Sequence, residues 1–90
     1  MNFSTPPFTT VLGWCEKNNC KKIEITNSTD DLVEVVIYWK SYQIIMTINP
    51  QTYITNIEVR KVVEGSSLAI VDAKQNMTLA DCITLIEGLK

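Results

Sequence analysis

The residues of this chain whose types could do chemistry are three cysteines, Cys15, Cys20 and Cys82, and an acidic grouping at Asp30, Asp31 and Glu34. A thiol becomes a nucleophile or a metal ligand once deprotonated, which calls for a neighbouring base or cation. The sequence holds no histidine. With it go the commonest general base, the usual partner of a nucleophilic Ser or Cys, and the commonest zinc ligand. Cys15 and Cys82 stand on apolar helical faces, where a free cysteine acts as a small hydrophobe. Cys20 precedes Lys21 and Lys22, a setting that could lower its pKa, but the sequence supplies it with no acid and no oxyanion site. Asp30, Asp31 and Glu34 lie in or beside a Ser/Thr-rich turn that lacks the glycine and closing glutamate of a calcium loop, so local hydrogen bonding accounts for them. Asp72 stands apart. There is no GxGxxG, no GxxxxGK[ST] and no glycine-rich phosphate cradle, only the isolated Gly65. The expectation is a protein that is not an enzyme and uses neither cofactor nor metal.

A chain of 90 residues, 46% apolar and 20% charged, is long enough for one core and too short for two, so residues 1–90 read as a single domain. The net charge of -2, from 8 basic and 10 acidic residues, argues against binding nucleic acid mainly by neutralising phosphates. An odd number of cysteines without a CxxC pair fits reduced thiols. The opening MNFSTPPFTT lacks the charged start and apolar core of a secretory signal, and no long apolar run occurs. A cytoplasmic protein without a membrane partner is expected, and the sequons at Asn2, Asn27 and Asn76 then read as coincidence.

What must position these residues follows from periodicity. Ser4-Thr5-Pro6-Pro7 can open a helix, and Phe8, Val11, Leu12 and Cys15 hold helical spacing up to Asn18-Asn19. From Lys21 to Thr26 the pattern alternates, with Ile23 and Ile25 on one side. Asn27 to Asp31 are turn formers, so a hairpin leads into Leu32–Lys40, a central strand with Val33, Val35, Ile37 and Trp39 on one face and Glu34, Val36, Tyr38 and Lys40 on the other. Tyr42 to Ile48 alternates again, placing Tyr42, Ile44, Met46 and Ile48 together opposite Gln43, Ile45 and Thr47. Asn49-Pro50 starts a tight turn. Tyr53 to Val63 reads as a long strand with Tyr53, Ile57, Val59 and Val63 on one face and Asn56, Glu58 and Arg60 on the other. Beyond Glu64-Gly65-Ser66-Ser67, the run Leu68–Val71 fits either a fifth strand or an extended lead into the last helix. That helix spans Leu79 to about Glu87, capped by Thr78, with Met77 able to staple against Cys82 and Gly88 as a stop. The fold class is therefore α+β: an N-terminal helix, a four- or five-stranded antiparallel meander and a C-terminal helix, packed as a two-layer sandwich.

This element order is similar to that of the double-stranded RNA-binding domain, whose second helix opens with basic residues that contact phosphates. Thr78-Leu79-Ala80-Asp81 stands at that position here, with no Lys or Arg until Lys90. Lys21, Lys22, Lys40, Arg60 and Lys61 could still form a basic strip, with Tyr38 or Tyr42 as stacking residues, which keeps an RNA-binding accessory protein as one alternative. A small homodimeric accessory subunit is another. The leading expectation rests on the sheet: Val36, Tyr38 and Ile45 are apolar on the surface away from the helices, where a wet sheet carries polar residues. A partner-binding patch of Val36, Tyr38, Lys40, Tyr42, Ile45 and Arg60 follows. Its function would be that of a protein-binding module, in its most specific form a phage or mobile-element inhibitor, anti-CRISPR-like, that blocks a larger host protein or nucleoprotein complex.

Overall fold

The computed structural model describes residues 6–62 and 68–89. Their order is α1 (Pro6–Asn18), β1 (Lys22–Ser28), β2 (Val33–Trp39), β3 (Tyr42–Ile48), β4 (Ile54–Val62), β5 (Leu68–Thr78) and α2 (Leu79–Glu87). The five strands form one antiparallel meander in the order β1-β2-β3-β4-β5, which leaves β1 and β5 as its edges.

Thr9, Thr10 and Val11 are weak helix formers, so α1 depends on packing and on how it ends. Asn19 takes the left-handed conformation, φ 56°, and the Cys20 N–H donates to the Cys15 carbonyl at 3.1 Å. This left-handed closure satisfies a carbonyl that the helix leaves free. Two more bonds finish the end: the Asn18 side chain donates to the Trp14 carbonyl at 2.9 Å, and Trp39 on β2 donates its indole N–H to the Asn18 carbonyl at 3.1 Å. The expected cap at Ser4-Thr5 lies outside the described residues.

The β2 to β3 hairpin closes in two residues, Trp39 pairing with Tyr42 across Lys40-Ser41. Asn49 organises the next turn, its Oδ1 accepting from the N–H groups of Gln51 at 2.8 Å and Thr52 at 3.2 Å. Tyr53 has φ 64° in this turn and is exposed, so it does not share the face of Ile57 and Val59 as the alternation suggested, and the strand starts at Ile54. Val63 and Glu64–Ser67 lie outside the described residues. The last strand is the largest addition: β5 runs the full length from Leu68 to Thr78, where only Leu68–Val71 showed a strand pattern. Register shifts at Thr55/Ile57 and Val59/Arg60 mark bulges in its pairing with β4, and these interrupt the alternation that a sequence reader relies on.

One core joins the two layers. Val11, Trp14 and Cys15 of α1 and Leu79, Cys82 and Ile86 of α2 pack with Val33, Val35, Ile37, Trp39, Tyr42, Ile44, Met46, Ile48, Ile57 and Val59 of the sheet. Thr78 caps α2 as expected, its hydroxyl accepting from the Asp81 N–H at 3.1 Å. Both helices contribute to this one cluster, so among the described residues the other face of the sheet carries no helix.

Candidate functional site

The open face can be read from the strand register. One row across it is Lys22, Tyr38, Gln43, Arg60 and Ile70; the next is Glu24, Val36, Ile45, Glu58 and Ala73. Four of its charges are matched within their own strands, Lys22 with Glu24 at 2.8 Å and Arg60 with Glu58 at 2.6 Å, and Glu34 accepts from the Thr26 hydroxyl. Gln43 donates to the Tyr38 hydroxyl at 3.2 Å. Side chains of the face thus hold one another down. The result is visible at Val36, which lies outside the helix-side core yet is only 7% exposed.

Of the six residues expected to meet a partner, Val36, Tyr38, Ile45 and Arg60 come together on this face. Tyr42 is on the opposite face, buried in the core, with Lys61 Nζ 5.8 Å from its ring centre. Lys40 sits in the β2 to β3 turn with φ 56°; its ammonium lies 4.3 Å from the centre of the Trp39 ring and donates to the Leu89 carbonyl at 3.5 Å, beside the end of α2.

The most exposed large apolar side chains among the described residues lie on β5. Ile70 is 61% and Val71 47% exposed, both on the edge strand β5. Only their apolar character was visible in the sequence, because nothing there identified the edge. Between β5 and the centre of the open face lies a shallow depression of about 260 Å³, lined by Ile45, Thr47, Asn56, Glu58, Ala73 and Gln75.

The thiols are placed for packing. Burial pushes Cys15 up to about 12, helped by a hydrogen bond with Cys20, and pushes Cys82 up to about 11, helped by the charge of Asp81. Cys20 is also raised, chiefly by burial, against the lowering that Lys21 and Lys22 suggested. A surface depression of about 330 Å³ beside Cys20 is lined by Leu12, Glu16, Lys21 and Ile23. Among the described residues no three Cys, Asp or Glu converge as a metal site. These shifts fix a sign. The folded chain holds thiol protons that the unfolded chain releases near its ordinary value of 9.0, so the stabilisation is complete below that pH and declines as pH rises through about 11 and 12. We expect the urea midpoint to fall between pH 9 and 11, and to fall less steeply in a Cys15→Ala/Cys82→Ala variant. Parallel declines would remove the thiols as the cause.

The described residues define an α+β protein with a one-sided helix layer, a self-covered open sheet face and an apolar sheet edge. No helix among them is long and apolar enough to cross a membrane. Comparison with protein-family models, with curated proteins and with solved structures finds no match.

Proposed function

We propose that the protein is a non-enzymatic protein-binding module that meets its partner along the β5 edge and the adjoining open face. The observation that carries this reading is the exposure of Ile70 and Val71 side by side on an eleven-residue edge strand. An edge offers unpaired main-chain N–H and C=O groups, and adjacent apolar side chains add burial when a partner strand is laid against them. In its sharper form the partner is a larger host protein or nucleoprotein complex whose site the domain covers, an anti-CRISPR-like mode of action that requires binding and nothing else. The RNA reading has less support, because two cations of its basic strip, Lys22 and Arg60, are already matched by Glu24 and Glu58.

Affinity capture from native lysate tests the proposal. The wild type is expected to enrich a defined polypeptide, and Ile70→Lys/Val71→Lys to lose it at least roughly tenfold, the effect of about 1.4 kcal/mol of lost binding, with an unchanged circular dichroism spectrum. Equal capture by the folded double variant would place the partner away from β5.

A further inference from the structure

The outer edge of β5 is self-complementary in charge. Asp72 and Lys74 are the only charged residues of the strand, and they flank Ala73 symmetrically. Both fall on the helix side of the sheet, their β4 partners being Val59 and Ile57, while Ala73 pairs with Glu58 on the open side. Among the described residues neither Asp72 nor Lys74 has an ion-pair partner, in contrast to Lys22 on the other edge strand, which is matched by Glu24. The Asp72 carboxylate instead accepts from the Ala73 N–H at 2.9 Å, covering a main-chain donor of the strand.

From this arrangement, and resting on the edge reading above, we infer that the β5 edge also receives a second copy of the same chain, so that self-association and host binding share one edge. The two β5 strands run antiparallel about a two-fold axis at Ala73. This register sets Asp72 against Lys74 of the second copy, and Lys74 against its Asp72. A two-fold centred on Val71 would face Asp72 with Ile70, and one centred on Gln75 would face Lys74 with Asn76, so the axis at Ala73 is the one that matches both charges. Opposite charges directly across an antiparallel pair stabilise it and like charges oppose it. The contact is isologous and closes on itself, which limits assembly to a dimer. The regular stretch that carries this register is Asp72–Lys74, bounded by the bulges at Val71 and at Gln75-Asn76. The joined sheet keeps both helix layers on one side.

Sedimentation velocity over roughly 1 µM to 1 mM protein reads the outcome. The wild type forms a concentration-dependent dimer. Asp72→Lys creates two Lys–Lys pairs and Lys74→Asp two Asp–Asp pairs, and each lowers self-association at least tenfold. The double variant Asp72→Lys/Lys74→Asp restores it, because the pairs are regenerated in reverse. An equimolar mixture of the two single variants forms a heterodimer that neither forms alone. A wild type monomeric to the top of the range overturns the inference, and so does a dimer indifferent to these charges. A dimer through β5 competes with capture of another protein at the same edge, so capture is read at a concentration where the chain is monomeric, and the two readings then fail separately.

Discussion

Trp39→Ala is expected to lower the free energy of unfolding by about 3 to 5 kcal/mol, the usual cost of deleting a large buried aromatic. For a domain whose whole stability is on the order of 5 to 13 kcal/mol, that is a large fraction, and the melting temperature falls by at least roughly 12 °C. The size follows from what Trp39 joins. It meets Trp14 edge to face at 5.1 Å between ring centres and 73° between planes, and its indole N–H donates to the last carbonyl region of α1 at Asn18. Removing it opens a cavity at the seam between helix and sheet and releases the helix end. The phenylalanine variants separate packing from hydrogen bonding. Trp39→Phe strands the Asn18 carbonyl and costs about 1 kcal/mol more than Trp14→Phe. The Trp14 indole N–H is buried with no hydrogen-bond partner among the described residues, so its removal loses no bond. Equal costs in urea denaturation would show that the Asn18 bond contributes nothing.

Trp39 also illustrates what the sequence makes legible. Strict alternation from Val33 to Trp39 and from Tyr42 to Ile48 assigned each of those side chains to its face, and β2 and β3 pair without a bulge, so period two holds throughout. It likewise placed Tyr42 with Ile44, and the register puts that face away from Tyr38, so Tyr42 leaves the binding group in which the sequence reading included it. In β1 the strand continues to Ser28, two residues beyond the alternating stretch, through a bulge between Ile25 and Asn27. In β5 the same effect is larger. Asp72 to Met77 shows no alternation, its pairing skips Gln75 and Asn76, and its strand state comes from the ladder with β4 rather than from its own propensity. Long-range pairing of that kind leaves no local signal. The covering of Val36 was equally hidden, since it depends on Glu24, Ile45 and their neighbours on three different strands being brought into register.

That covering has the second large consequence: Val36→Asp should destabilise the domain by about 2 to 4 kcal/mol, while Ile70→Asp changes stability by no more than about 0.5 kcal/mol. Both are β-branched, and the strand register puts both on the side of the sheet away from the helices. Their surroundings differ. Val36 is on a strand paired on both sides, with Glu24 and Ile45 directly across from it, and it is 7% exposed. An aspartate there loses the burial of the valine, places a carboxylate under a polar cover that cannot hydrate it fully, and faces Glu24 across β1 with Glu34 two positions along the same strand. Ile70 is on an edge and 61% exposed, so an aspartate at that position stays in water. Urea midpoints of the two variants at neutral pH make the comparison. Comparable losses would mean that the open face is wet at its centre, and the binding surface would then return from the β5 edge to Val36, Tyr38 and Ile45.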